Sequence, residues 1–143
     1  MVKKMKKAQV GIEFIAVFLL VFLIFLFLQA DNVVATNALM ERAALATASN
    51  TLDEAAVIID LTGHSTALSA QFSTPQFLPG GFSYTFGVSN TSVYISWNAT
   101  GGFRTVQRQI TAFNVTNSTG ATRFFLSPGQ HFTTKIQRGV KIT

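Results

Sequence analysis

Hydrophobic and polar positions divide the chain into three kinds of pattern. From Val10 to Leu28 the sequence is apolar for 19 residues, interrupted by Gly11 and Glu13. At ~1.5 Å per residue this run spans roughly 28 Å as a helix, close to the ~30 Å hydrocarbon core of a bilayer. No Pro or Gly occurs between Ile12 and Thr62, so one helix can extend well beyond the apolar run. Beyond Leu28 the spacing becomes amphipathic. Val34, Ala38, Leu45, Ala48, Leu52, Ala55 and Ile59 recur at intervals near three and four, and Glu41 breaks their stripe. Asp31 or Asn32 is the expected place for a kink or a second helix start. Gly63, after Leu61-Thr62, is expected to end the helix as a left-handed cap. Ala43, Ala44, Ala46 and Ala48 would let another element approach closely.

After Gly63 the period shortens to two. Phe82, Tyr84, Phe86 and Val88 alternate with small or polar residues, as do Val93, Ile95 and Trp97. A turn near Ser89-Asn90 makes the two runs a hairpin. A third strand is expected over Phe103–Phe113 and a fourth over Arg123–Leu126. A last strand is expected over His131–Ile142, with a bulge at Gly139. Leu68–Leu78, interrupted by Pro75, reads as an edge strand or loop. The predicted class is α+β. A long N-terminal helix, an apolar stalk and then an amphipathic half, packs on a small antiparallel sheet or sandwich.

Charge follows the same divisions. Lys3, Lys4, Lys6 and Lys7 precede the apolar run. Residues 9–60 hold all six acids and one base, a formal −5. Residues 61–143 hold six bases and no acid. The basic leader keeps its end of an apolar span on the cytoplasmic side, so the remainder faces outward. The apolar stretch is long for a secretory signal, and no small-x-small cleavage site follows it. Opposite charges on the helix and the head suit head-to-tail pairing between neighbouring chains. Anionic surfaces, DNA or plain solvation are the alternative readings of the basic head.

Glu13 is the anomalous residue of the span. A carboxylate in hydrocarbon costs on the order of 3 kcal/mol. It either snorkels to the interface or pairs with a cation, and a free α-amino group at Gln9, four residues earlier, would serve. That amine requires a cut between Ala8 and Gln9. The lysine-rich leader, Ala8, then Gln9-Val10-Gly11-Ile12-Glu13-Phe14 and the apolar run resemble the class III signal peptide of archaeal type IV pilin-like proteins. The resemblance covers about 20 residues, and the alternation of the head agrees with the pilin plan. It implies cleavage at Ala8–Gln9 by a prepilin peptidase and an assembly pair formed by Gln9 and Glu13. It implies a basic leader over 1–8, a transmembrane and filament-core helix over 9–29, an amphipathic helix over 30–62 and a β head over 63–143. The implied partners are identical subunits in a helical filament, the peptidase, and the assembly ATPase and platform protein. The precursor would sit in the membrane with its head outward and later join a cell-surface filament for adhesion. A minor or DNA-uptake pilin, with nucleic acid as a partner of the basic head, is one alternative. An uncleaved single-pass membrane protein with an outward binding domain is another.

The side chains present limit the chemistry. There is no Cys, which excludes disulfides, thiolate metal sites and thiol nucleophiles. The head has no carboxylate, so paired-carboxylate catalysis cannot be housed there. His64 and His131 read as surface or packing residues, and no cofactor or metal site and no enzymatic activity is expected. All four Asn residues after position 60 (Asn90, Asn98, Asn114 and Asn117) begin an N-x-[ST] sequon. Ser and Thr make up 23 of those 83 residues, so chance alone supplies about one match. These four are the candidate N-glycosylation sites.

Overall fold

The computed structural model describes the backbone of residues 2–65 and 69–143, and the side chains from Glu13 onward within those ranges. The chain divides into two units, Met1–Ala38 and Leu39–Thr143. The class is α+β, with the layout of a type IV pilin: one long N-terminal helix and two small, largely antiparallel sheets.

Helix α1 runs over Val2–His64. Among the described residues, its first unit contributes no buried side chain. The helix is continuous through Asp31 and Asn32, so no second helix starts there. Thr36 Oγ1 donates to the Asn32 carbonyl at 2.8 Å, which satisfies the hydroxyl without leaving the helix. Phe18 and Phe22, one turn apart, stack with centroids 6.4 Å apart.

In the second unit the helix buries one face. Ala44, Ala48, Leu52, Ala55 and Ile59 are fully buried, with Thr51, Ala56 and Thr62 beside them. The expected stripe holds from Ala48 to Ile59. It fails at Val34 and Leu45, which are 69% and 48% exposed. Ala44 takes the inward position that Leu45 was expected to hold, while Ala43 and Ala46 face solvent. A small side chain there brings the helix close to its neighbours. Thr62 is polar yet fully buried. Its hydroxyl donates to the Ile58 carbonyl at 2.8 Å and shares a second 2.8 Å bond with Thr133 Oγ1. Gly63 is not a left-handed cap, since the helix continues to His64. A Cβ at Gly63 would lie 2.9 Å from Ala112 Cβ, so glycine is needed there for close approach.

Among the described residues eight strands follow: β1 Ser69–Thr74, β2 Tyr84–Val88, β3 Ser92–Ala99, β4 Gly102–Gln109, β5 Val115–Asn117, β6 Phe124–Leu126, β7 Gly129–Ile136 and β8 Gly139–Ile142. One sheet has the order β1-β7-β8-β5, the other β4-β3-β2-β6. The expected hairpin is β2–β3, with Val88 opposite Val93 and Phe86 opposite Ile95. Ser89 N–H donates to the Ser92 carbonyl at 2.8 Å and closes its turn. Val93, Ile95 and Trp97 all point into the core, as their alternation requires. β1 is an edge strand that ends before Pro75.

Three strand expectations are corrected. The third strand stops at Gln109, because the backbone N–H groups of Thr111 and Ala112 turn to Asp60 instead of a sheet neighbour. His131–Ile142 is two strands joined by a tight turn, not one bulged strand. Gly139 closes that turn with φ 149°, and a Cβ on it would sit 2.1 Å from the Asn114 carbonyl oxygen. β5 was not anticipated and pairs parallel to β8. One apolar core joins both sheets and the Ala44–Ile59 face, with Phe72, Phe86, Ile95, Val140 and Ile142 among its members.

Candidate functional site

Residues 14–28 carry fourteen large apolar side chains, each between 49% and 72% exposed. They cover more than four turns of α1, so they surround the helix axis and leave no polar face. An 18-residue window in this helix reaches a mean hydropathy of 2.6 with none of it buried. A helix apolar on every side is stable only where its surroundings are apolar on every side. Transferring these side chains out of water favours such surroundings by on the order of 20 kcal/mol. The segment is therefore long and apolar enough to cross a membrane, consistent with membrane insertion.

Glu13 is exposed on the same helix, one residue before Phe14. Ala8 and Gln9 belong to α1, but their side chains lie outside the described residues. The expected cleavage site and the amine partner of Glu13 therefore rest on the sequence motif.

Three acids of the second unit, Glu41, Asp53 and Asp60, have partners within the chain. Glu41 Oε1 accepts the Gly101 N–H at 3.1 Å, and its carboxylate lies 3.9 Å from the Arg104 guanidinium. Asp53 is ion-paired with Arg108, which holds that guanidinium above its usual pKa range. Asp60 Oδ1 accepts two backbone N–H groups, from Thr111 and Ala112, each at 2.7 Å. Charge segregation along the sequence thus serves pairing inside one chain for Arg104 and Arg108. Lys135 Nζ donates to the Ser65 carbonyl. Among the described residues, Arg123, Arg138 and Lys141 make no ion pair.

The two histidines are placed as expected. His64 is exposed and bonds Thr111 Oγ1 at 3.2 Å. His131 is buried, with its ring 5.4 Å from that of Phe72 and its Nε2 2.8 Å from the Ser127 carbonyl. Among the described residues no three His, Asp or Glu side chains converge as a metal site.

The four sequons occupy different settings. Asn98 is exposed near the end of β3, and its side chain makes no hydrogen bond among the described residues. Asn90 Oδ1 accepts the Val115 N–H at 3.1 Å. Asn117 Oδ1 accepts the Thr119 hydroxyl at 2.8 Å and two backbone N–H groups. Asn114 is half-buried at φ 56°. In Asn90 and Asn117 it is the oxygen that is engaged, which leaves the amide nitrogen for modification.

Two features have little sequence signal. Asp60 works as an acceptor for a distant loop, and an acid near a helix end does not announce that role. Tyr94, Gln107 and Phe125 meet across one sheet face only through strand register. No family model, no curated protein and no solved structure is significantly similar to this chain.

Proposed function

We propose that this chain is the structural subunit of an extracellular filament of the archaeal type IV pilin kind, used for surface adhesion. The carrying observation is the helix of residues 14–28, whose large apolar side chains are exposed on all sides. A bilayer satisfies that surface before assembly, and a bundle of identical helices satisfies it afterwards. The leader supports the same reading. A cut between Ala8 and Gln9 removes the four lysines and creates the cation that Glu13 would meet in a neighbouring helix. The sequons at Asn90, Asn98, Asn114 and Asn117 fit an outward head, and the partners are identical subunits with the peptidase and assembly machinery that such filaments use.

The test is the N-terminal residue of the protein recovered from cells, read by mass spectrometry, with negative-stain imaging of sheared surface material. A start at Gln9 in thin filaments is the expected result. A start at Met1 in a membrane fraction, with no filaments, would replace this reading with a tethered single-pass binding domain.

A further inference from the structure

The outer face of the β4-β3-β2-β6 sheet carries a row of four residues in register: Gln107, Tyr94, Gly87 and Phe125. A Cβ on Gly87 would lie 2.1 Å from Tyr94 Cζ. The phenol ring therefore lies down across β2 instead of standing off the sheet. Phe125, 70% exposed, rises beside it on the edge strand. Arg123 completes a groove of about 490 Å³ with Ser89 and Ser92 at its end. That volume is in the range of small-ligand sites. The Tyr94 hydroxyl, the Gln107 carboxamide and the Arg123 guanidinium have no hydrogen-bond partner among the described residues. No acid lines the groove, and the sequence has none after Asp60.

We infer that this groove binds an anionic polysaccharide of the polyuronate type, with a sugar ring stacked on Tyr94 and its carboxylate held by Arg123. A flat aromatic face carries negative quadrupole density, and the C–H face of a pyranose is apolar with slightly positive hydrogens. A planar carboxamide donates to one hydroxyl and accepts from the next. A guanidinium grips a carboxylate with two parallel bonds. A nucleic-acid strand fits less well, because it needs a basic groove following several phosphates. Here one guanidinium lines the groove, while Arg104 and Arg108 are on the opposite sheet face with Glu41 and Asp53. The site gives adhesion a chemistry, yet it does not depend on filament assembly.

The experiment is calorimetric titration of the full chain in detergent micelles with oligogalacturonate, a neutral galacto-oligosaccharide of equal length and an oligothymidylate. Oligogalacturonate should bind, and the neutral sugar should bind about tenfold more weakly. Phe125→Ser should weaken both sugars, and Arg123→Gln should erase the preference for uronate while leaving the neutral sugar unchanged. Both side chains are exposed, so an unchanged melting curve certifies the fold. Tyr94→Ala should cost about tenfold or more in uronate affinity. Absence of uronate binding by the folded chain overturns the inference. So does binding that is indifferent to Phe125→Ser and Arg123→Gln, or an oligothymidylate that binds more tightly than uronate through the same residues. Loss of the filament reading alone would leave all these outcomes as they stand.

Discussion

Residues 14–28 and residues 44–62 belong to the same helix, yet they solve the problem of apolar surface in opposite ways. The first stretch is built from Phe, Leu, Ile and Val, and all of that bulk is exposed. The second is built around Ala44, Ala48, Ala55 and Thr62, and its inward face is buried. Bulk on every side means that no contact within the chain can satisfy the segment, so its partner must be supplied from outside. Small residues on one face mean that the partner is already present and close. Hydrophobicity therefore marks the part of this helix that needs apolar surroundings better than the part that packs on the sheets.

The largest effect should come from charging the first stretch. Leu20→Asp combined with Ile24→Asp introduces two carboxylates at about 3 kcal/mol each in hydrocarbon. The variant is expected to leave the alkali-resistant membrane fraction. The melting of the second unit should change by less than about 0.5 kcal/mol, because neither side chain contributes to its core. If the protein stayed in the membrane, the two stretches would not differ in the way proposed.

Leu52→Ala is the converse probe. Leu52 is fully buried among the two sheets, so truncation should cost about 2–5 kcal/mol. Near-UV circular dichroism should report a drop in Tm of roughly 10 °C or more. Membrane association should be unchanged. A stable Leu52→Ala protein would mean that the second stretch is as loosely held as the first.

How far these features could be read from the sequence depends on how local they are. The apolar run, the β2–β3 hairpin and the inward set Val93, Ile95 and Trp97 carry their own periodicity, and they were legible. Val34 and Leu45 misled because an apolar residue on a helix shows a stripe whether or not anything faces it. Ala44 and Thr62 are the converse case: small or polar, they look unimportant and are fully buried. β5 is three residues long, too short for a period, and its partner β8 lies more than twenty residues away. Gly139 is permissive in a bulge and in a turn alike, so its presence could not separate one bent strand from two. The Ala8, Gln9 and Glu13 motif is wholly local. The groove at Tyr94 and Arg123 draws on four strands and the segments beside them, and only the strand register brings them together. Gly87 in the middle of an apolar alternation was its one local trace.

The helix acids sharpen the comparison at a finer scale, since Asp60 and Asp53 are one residue type with different work. Asp60→Ala would leave the N–H groups of Thr111 and Ala112 without their acceptor. The Ala112 group lies partly buried beside Gly63, where water cannot readily replace the carboxylate. The expected loss is about 1–3 kcal/mol, and it should persist in high salt, because hydrogen-bond satisfaction is not screened. Chemical denaturation of the full chain in micelles reads this directly.

Asp53→Asn should have the smallest effect of the set. Asp53 and Arg108 are both substantially exposed, at 53% and 39% of their side-chain surface. Such pairs contribute about 0–1 kcal/mol, since water and salt compete for both charges. Arg108 stays protonated at any pH in which the protein is studied, so the pair keeps its cation throughout. Any difference between the variant and the parent should vanish in about 1 M NaCl, where the Debye length is near 3 Å. A loss as large as that of Asp60→Ala, or one that survives such salt, would show that Asp53 holds the head on its helix as a fixed link. The exposed acids of this helix would then be structural throughout, and the contrast between its two stretches would rest on the apolar residues alone.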